Sequence, residues 1–437
     1  MHLYDVPLIF VLVGLVLYVV LAGADFGAGF WQLLAGPRGE RVRDRAHESI
    51  GPVWEANHVW LIFVLTVTWT AYPSAFGAIA STLCVPLFIA AIGIVMRGAT
   101  YALRAGAQSA GERSWIDLAF ALSSVITPFA LGTVVGAIAA RRVPVGNAAG
   151  DLLTSWTSAT SLVVGALAVA SSAYLAAVFM AADAQRVARD DAAERSLLAG
   201  LRRRALLAGL SAGAVALAGL LVLHSDSHFL YARLLHGAAL DVVIVSALAG
   251  ALTLELVRRN RFEPARYSAA LAVAAVVAGW ALAQRPVLLR GLTVRQAAAP
   301  HDTLVLVIVA VLAGGLILFP SLLLLFRLVL QGRLDHAADS AEPAADGLGP
   351  TSAEPAAARR GLAPLIAAAA AGLLARLAGA CLLAGFGLLT VAEAGWAHAI
   401  GVVALLSFLL CGFAAIVPAQ VGELAREDRD EAPGASR

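Results

Sequence analysis

Eleven long apolar runs fill most of this 437-residue sequence and restrict the folds that are open to it. The hydrocarbon core of a bilayer is about 30 Å thick, so a helix that crosses it needs about 20 predominantly apolar residues. A backbone in lipid must satisfy its own hydrogen bonds, which leaves helices and closed barrels. Because the runs lack the period-two alternation of barrel strands, we predict an all-α integral membrane protein.

Each run predicts one membrane-spanning helix, and the first nine form a predicted membrane core over residues 1–334. A disordered, Ala- and Pro-rich linker is predicted over 335–361. A further pair of membrane helices follows within 362–422, and a charged tail occupies 423–437. The predicted spans are 7–34, 53–73, 76–103, 116–140, 153–182, 203–223, 236–257, 267–289, 302–330, 363–391 and 396–421.

Composition and charge exclude other classes of protein. Hydrophobic residues make up 60% of the chain and charged residues 14%, against about 25% charged residues in an ordinary globular domain. The net charge of +2 gives no field of a single sign, so we expect no nucleic-acid partner. The sequence has no Walker loop, Gly-x-Ser-x-Gly motif or His-Glu-x-x-His motif, so any chemistry should take place within the membrane.

The distribution of arginine predicts the orientation of the chain. The sequence contains no lysine, and 24 of its 31 basic residues lie in the loops after predicted helices 1, 3, 5, 7, 9 and 11. Basic residues concentrate on the cytoplasmic side of a membrane. We therefore predict a multi-pass protein with its N-terminus outside and its C-terminus in the cytoplasm. Arg97 and Arg104, at the cytoplasmic end of predicted helix 3, are assigned to this topological role.

An acidic residue inside the first apolar run is the clearest candidate for function. Asp25 lies about 10 Å from the cytoplasmic end of predicted helix 1, among the small residues Gly23, Ala24, Gly27 and Ala28. Ionisable side chains within a membrane are costly and commonly serve function. Two interpretations stay open: a proton-handling carboxylate, or a buried carboxylate that a neighbouring Arg, Asn or Trp holds as a structural contact.

The start of predicted helix 2 carries a second group of polar residues. Glu55 and His58 stand three residues apart and share a helix face, with Asn57 in the same turn and Trp54 and Trp60 on either side. We predict that protons enter here from the cytoplasm, although a first-turn carboxylate is also favourable for the helix dipole alone. For His58 three interpretations stay open: a haem ligand, a proton relay, or a hydrogen-bonded structural residue.

A further polar cluster surrounds the loop after predicted helix 6. Its composition is typical of metal ligands, but the spacing fits no standard site, so we prefer a solvated outer loop. Its members are His224, Asp226, His228, His236 and Asp241.

Two of these segments together resemble subunit II of the cytochrome bd-type quinol oxidases. GADFGAG at 23–29 is similar to the helix 1 motif of that family, and IGPVWEANHVWLI at 50–62 is similar to its helix 2 motif. Further similarity lies in MRGATYALR at 96–104, WIDLAF at 115–120 and GAIAARRVP at 136–144.

The resemblance covers the nine-helix core, to which the C-terminal helix pair is additional. It implies a terminal oxidase of a bacterial or archaeal cell membrane that oxidises quinol and reduces dioxygen to water. This chain would hold no cofactor, because haem b, haem d and the quinol site would belong to subunit I, its partner. Small accessory subunits are compatible with such a complex.

In that family, subunit II stabilises the haem-bearing subunit and offers a hydrophilic proton route from the cytoplasm. The resemblance implies that Asp25 and Glu55 are the carboxylates of this route. It also implies that Trp60 lies near the subunit boundary or near a path for dioxygen.

Two alternatives stay open. A proton-coupled secondary transporter also uses Gly-rich helices and buried acids, although many transporters have repeated halves, which this sequence does not visibly show. A bd-like complex with a different electron donor is the other alternative.

Overall fold

The computed structural model describes residues 2–35, 54–104, 109–187 and 192–330, together with ten scattered positions between 376 and 411. Within these ranges, the side chains of 54–56, 110, 187, 192–196 and 316–330 lie outside the description.

The described part of the chain is almost entirely helical, with one short antiparallel hairpin. A 3₁₀ turn at Leu3–Asp5 precedes the first helix. The elements that follow are α1 (Val6–Leu33), α2 (Trp54–Ala71), α3 (Pro73–Thr82), α4 (Cys84–Arg104), α5 (Ala110–Ala139), α6 (Ala159–Val187), α7 (Ala192–Asp226), α8 (His228–Leu234), α9 (Gly237–Arg258), α10 (Phe262–Gln284), β1 (Val287–Leu289), β2 (Leu292–Thr293), α11 (Val294–Ala297) and α12 (His301–Leu330).

Seven helices of the described residues are long and apolar enough to cross a membrane, namely α1, α4, α5, α6, α7, α9 and α10. Two shorter apolar segments, Asn57–Ala71 in α2 and His301–Gly315 in α12, fall in the predicted second and ninth spans. The all-α membrane fold predicted from the apolar runs is therefore confirmed. The total of eleven membrane helices stays a prediction, since most of the last two spans lies outside the described residues.

Predicted helix 3, over 76–103, was wrong as a single element, because two helices, α3 and α4, cover this run. Pro86 explains the break, since its ring lacks an N–H and clashes with the carbonyl of Thr82, four residues earlier. α3 ends at Thr82, and Leu83 (φ −104°, ψ 25°) leaves the helical region before α4 begins. The apolar character of the run continues across the break and conceals it.

The predicted span 267–289 extends too far. α10 ends at Gln284, and Arg285 (ψ 149°) is extended. A residue that precedes proline avoids the helical region, and Pro286 follows here. The last residues of the predicted span form β1 instead.

The predicted span 153–182 starts too early, because α6 begins only at Ala159. The Asp151 carboxylate accepts hydrogen bonds from the backbone N–H groups of Leu153 and Thr154, at 2.9 and 2.7 Å. Such side-chain contacts compete with helix formation and hold the backbone in turns.

The largest apolar cluster among the described residues is centred on α6. Its segment 173–184 is rich in alanine and packs against residues of α1, α5, α7, α9 and α10. Small side chains let membrane helices approach closely. Trp31 of α1 donates its indole N–H to the carbonyl oxygen of Ala173 at 2.8 Å, which fastens α1 to α6.

The chain divides into two compact units, Met1–Asp335 and His336–Arg437. The positions described in the second unit are helical. The predicted linker over 335–361, the tail over 423–437 and most of the helix pair within 362–422 lie outside the described residues. Those boundaries therefore stay predictions.

Candidate functional site

One face of α1 carries three buried polar side chains, Tyr18, Asp25 and Gln32, none of which is more than 6% exposed. They are spaced seven residues apart, which returns to nearly the same helix face every two turns and spans about 21 Å in all. One oxygen of each residue (Oη, Oδ2 and Oε1, respectively) has no hydrogen-bond partner in the described part of the chain. Buried polar atoms are nearly always hydrogen-bonded, so these three unpaired oxygens make this face of α1 a candidate functional site.

Asp25 forms a buried ion pair with Arg97 of α4. Arg97 Nη2 donates to Asp25 Oδ1 at 2.5 Å and to the backbone carbonyl oxygen of Asp25 at 2.9 Å. The two side chains are only 1% and 4% exposed, so each charge depends on the other for compensation. The structure thus supplies the arginine partner that one interpretation of Asp25 required.

Two aromatic rings and a hydroxyl group enclose the Arg97 guanidinium. Its central carbon lies 5.1 Å from the ring centroid of Phe26 and 4.3 Å from that of Phe120. Arg97 Nη1 donates to Ser124 Oγ, which in turn donates to the carbonyl oxygen of Phe120 at 2.6 Å. A desolvated cation–π contact contributes about 2 kcal/mol. These contacts fix the guanidinium in a position that presents it to Asp25.

Glycines of the GADFGAG segment let neighbouring helices reach the pair. A Cβ atom at Gly29 would lie 2.2 Å from Ser124 Oγ and 3.3 Å from Arg97 Nη1. A Cβ atom at Gly27 would lie 1.9 Å from the carbonyl oxygen of Ser172 on α6. Both positions therefore require glycine, because α5 and α6 pack directly against the backbone of α1.

His58 and Asn57 of α2 lie beside the same part of α1. The His58 ring centroid is 6.3 Å from that of Tyr18 and 6.4 Å from that of Phe26, and both contacts are edge-to-face. His58 thus contacts Phe26, which follows Asp25 in α1. Asn57 is 2% exposed, and its Oδ1 has no hydrogen-bond partner within the described ranges. The structure thus places His58, with Asn57 next to it in α2, beside the segment of α1 that carries Asp25.

The other predicted residues of α2 are described in less detail. Trp54 and Glu55 lie in the first turn of α2, but their side chains fall outside the described residues, so the role of Glu55 stays a prediction. Trp60 is half-buried and packs against the cluster formed by Tyr18 and Phe26.

Sequence reasoning missed the role of Arg97, which it assigned to topology alone. Arg97 lies seven residues before the end of α4 at Arg104, and Asp25 lies eight residues before the end of α1 at Leu33. At 1.5 Å per residue, both are about 11 Å from helix ends that are predicted to share one side of the membrane. This match in depth could have predicted from the sequence that Arg97 pairs with Asp25. Arg104, by contrast, pairs nearer the helix end, with Asp117 at 3.2 Å.

The polar cluster after predicted helix 6 contributes no metal site in the described part of the chain. Asp226 accepts hydrogen bonds from Arg142 Nη2 at 2.9 Å and from the Thr160 hydroxyl at 2.6 Å. These contacts hold Asp226 in place, whereas the exposure of the other four members supports the interpretation as a solvated loop. The exposed members of the cluster are His224, His228, His236 and Asp241.

The described histidines do not provide a facing pair of imidazoles for a haem inside the bundle. His58 lies within α2, whereas the others occupy the chain start, helix ends or cap positions. These others are His2, His224, His228, His236 and His301. Haem iron takes its axial ligands from suitably placed side chains, most often histidine. The described residues of this chain therefore do not fit a bis-histidine haem.

Residues 3–329 match the family model described as cytochrome bd terminal oxidase subunit II. The matched range contains α1, α2, α4 and the buried contacts of Asp25. It ends before the predicted linker and the additional helix pair.

Several curated proteins of that family are similar to parts of the chain. The cytochrome bd ubiquinol oxidase subunit 2 of Bacillus subtilis (strain 168) is 30% identical over 135 residues, which is 30% of this chain and 39% of the relative. The putative cytochrome bd menaquinol oxidase subunit II of the same organism is 22% identical over 225 residues, which is 50% of this chain and 62% of the relative. The cytochrome bd-I ubiquinol oxidase subunit 2 of Escherichia coli (strain K12) is 27% identical over 127 residues, which is 29% of this chain and 33% of the relative. The chain thus aligns with less than two thirds of the length of each relative.

A solved structure extends the similarity to the fold. A chain in the structure of bd oxidase from Geobacillus thermodenitrificans is 27% identical to this chain, with a TM-score of 0.60. The match covers 76% of this chain and 99% of that chain. A fold shared over nearly the whole of that chain agrees with the family match.

Proposed function

The chain belongs to the cytochrome bd terminal oxidase subunit II family, and we propose that it is the haem-free subunit of a membrane quinol oxidase. In this proposal the complex oxidises quinol and reduces dioxygen to water. Subunit I carries haem b, haem d and the quinol site, while this chain stabilises that partner and contributes a proton route from the cytoplasm. The observation that carries the proposal is the buried Asp25–Arg97 pair inside the region that matches the family.

Reduction of dioxygen to water consumes one proton for each electron, so the complex needs a proton path through its apolar interior. The haems of the partner supply the electron chemistry. The residues of this chain hold and pass protons. Asp25 takes the central position, because Arg97 holds its Oδ1 while its Oδ2 is unpaired among the described residues. Oδ2 is thus the atom that accepts and releases the proton.

Gln32 and Tyr18 extend the route on either side of Asp25. Gln32 lies near the end of α1 that is predicted to face the cytoplasm, and Tyr18 lies deeper. A step of seven residues is about 10 Å, which exceeds a direct hydrogen bond. Bridging waters would bond to the unpaired oxygens of these side chains and connect them.

The start of α2 provides the point at which protons enter the route. Glu55 collects protons in the first turn of α2, and His58, which shares its face, passes them towards Asp25. The contacts of His58 with Tyr18 and Phe26 support this assignment. The same proposal places Trp60 near the boundary with subunit I or near a path for dioxygen.

The family match does not favour the alternative of a proton-coupled secondary transporter. A bd-like complex with a different electron donor would use the same proton route. An assay of oxygen consumption with different quinols and other electron donors distinguishes this second possibility from a quinol oxidase.

The proposal is tested by purification of the tagged full chain from its native membrane in mild detergent. Copurifying proteins are identified, and a reduced-minus-oxidised visible spectrum is recorded. We expect a second membrane subunit and the absorption bands of haem b and haem d. A colourless chain that stays monodisperse on its own would contradict the proposal.

A further inference from the structure

Three arginines gather at the end of the bundle where arginine is scarce. The loops on this side hold six of the 31 arginines in the sequence, and the positive-inside rule identifies it as the outer side. Arg141 follows the end of α5, Arg233 lies in α8, and Arg290 lies in the turn between β1 and β2. Half of the arginines on this side thus belong to one group, far in sequence from one another.

Two members of the group share one aromatic side chain. The guanidinium carbon of Arg141 lies 3.3 Å from the ring centroid of Phe229, and that of Arg233 lies 5.2 Å from it. Arg290 lies in the turn between β1 and β2, and its charge lowers the pKa of the Arg141 guanidinium. Aromatic faces attract cations, so Phe229 holds like charges together that would otherwise separate.

Acidic side chains do not neutralise this group in the described part of the chain. Arg141, Arg233 and Arg290 form no ion pair there, and the nearby acid Asp226 is bound to Arg142. Ion pairs therefore do not compensate these three positive charges in that part of the chain.

In the part of the chain that the structure describes, Arg141 lacks a hydrogen-bond partner at one of its guanidinium nitrogens. Its Nε is buried and has no hydrogen-bond partner among the described residues. Burial lowers the pKa of the Arg141 guanidinium, and the charges of Arg233 and Arg290 lower it further. An anion bound at this position would accept a hydrogen bond from this Nε–H group and reduce the repulsion among the three guanidinium groups.

The position of the group along the membrane normal points to the source of that anion. Arg141 lies two residues beyond the end of α5, and α8 follows the end of α7 directly. Tyr231 and Trp280 pack in the apolar cluster that anchors α8 to the bundle. The ends of membrane-spanning helices lie at the depth of lipid headgroups. The arginines therefore lie where lipid phosphates lie.

We propose that Arg141, Arg233 and Arg290 bind the phosphate of an anionic phospholipid headgroup in the leaflet at the arginine-poor end of the bundle. Guanidinium groups match the oxygens of a phosphate in geometry and charge. The phosphate of a lipid reaches the three arginines from the bilayer beside α8. The acyl chains of that lipid then pack against the apolar surface of the membrane helices. A free phosphate ion has the same chemistry, and the test separates these two sources.

The test uses the complete complex in nanodiscs that contain equal amounts of phosphatidylcholine and phosphatidylglycerol. Lipids that remain bound after detergent extraction are counted by native mass spectrometry. Arg290→Gln is the main variant, because Arg290 is exposed and its replacement leaves the packing of the fold intact. Arg295→Gln is the matched control, an exposed arginine five residues away on the same side.

We expect the wild-type complex to retain phosphatidylglycerol preferentially and Arg290→Gln to lower that enrichment about fivefold. Arg233→Gln should lower it as well, whereas Arg295→Gln should leave it unchanged. Equal enrichment in wild type, Arg290→Gln and Arg233→Gln would overturn the proposal. Binding of inorganic phosphate without any preference for phosphatidylglycerol would overturn it too.

Discussion

The contacts of Asp25 determine what each substitution at the candidate site should do. A buried ion pair adds little net stability over a matched apolar pair, but loss of one partner costs about 3–5 kcal/mol, because the other charge stays buried. Stability alone is therefore a weak reason for Asp25 and Arg97 to lie inside the bundle. The proposed proton route gives a functional reason, since Asp25 Oδ2 has no hydrogen-bond partner among the described residues.

Replacement of Asp25 by asparagine should lower oxygen consumption at saturating quinol by about tenfold or more, because an amide cannot take up and release the proton. The reduced-minus-oxidised haem spectrum should stay unchanged, which separates proton transfer from assembly. Asp117→Asn is the control, since Asp117 also pairs with an arginine but its side chain is 21% exposed. Turnover in Asp25→Asn equal to that of the wild type would remove Asp25 from the route.

The interaction between Asp25 and Arg97 should be visible in a double-mutant cycle. Asp25→Asn and Arg97→Gln should each lower the melting temperature of the purified complex, because each leaves one buried charge without compensation. The double variant should lose less than the sum of the two, with a coupling energy of about 1–3 kcal/mol. Strictly additive losses would show that the two side chains do not depend on each other.

Glu55 is tested separately, since its side chain lies outside the described residues. Glu55→Ala should lower oxygen consumption at saturating quinol while the haem spectrum stays largely intact. Glu55→Asp keeps the carboxylate and should retain most of the activity. If Glu55→Ala turns over like the wild type, protons do not enter through this residue.

Single residues also show what a sequence alone can reveal about such a site. The cost of burying a charge pointed to Asp25, and the one-turn grouping pointed to His58 and Asn57. The structure buries Asp25 and Asn57 and packs His58 against α1, while their role in proton transfer stays a prediction. Arg97 could not be assigned in the same way, because a guanidinium at that position can reach either the membrane interface or the helix interior. The choice depends on how closely α4 packs against α1 and α5, which is a tertiary property.

At the scale of the helices, close packing against the backbone of α1 gives the most specific prediction. Gly27→Ala should reduce the yield of assembled, haem-containing complex and destabilise it by about 1–3 kcal/mol or more, since the new Cβ would collide with the Ser172 carbonyl. Gly213→Ala in α7 is the matched control, because a Cβ there meets nothing within 4 Å. Normal yield and melting temperature for Gly27→Ala would contradict a direct contact between Gly27 of α1 and the Ser172 carbonyl of α6.

The helices also show why apolar runs predict membrane segments better than helix ends. α7 spans Ala192–Asp226, well beyond the predicted 203–223, because its charged first turns continue the helix outside the apolar run. The run marks the part that suits lipid, whereas hydrogen bonding and caps set the helix ends. Pro86 shows the converse, since a break can occur inside a run without any change in hydropathy.

At the scale of the whole molecule, the division into two units leads to a prediction about the C-terminal region. The family match ends at residue 329, and the first compact unit ends at Asp335. A chain truncated after Asp335 should still assemble with subunit I and yield the same haem spectrum. Copurification of the truncated, tagged chain measures this, and loss of the partner subunit would show that the C-terminal unit is needed for assembly.

The measurement that tests the central claim most directly is the sidedness of proton uptake by the complete complex in liposomes. A pH-sensitive dye is confined to one compartment, and oxygen is added rapidly to the quinol-reduced complex. Protons should be taken up from the side of the arginine-rich loops, and about tenfold more slowly in Asp25→Asn with the same haem content. Uptake from the opposite side, or at equal rates in wild type and Asp25→Asn, would contradict a proton route through this chain.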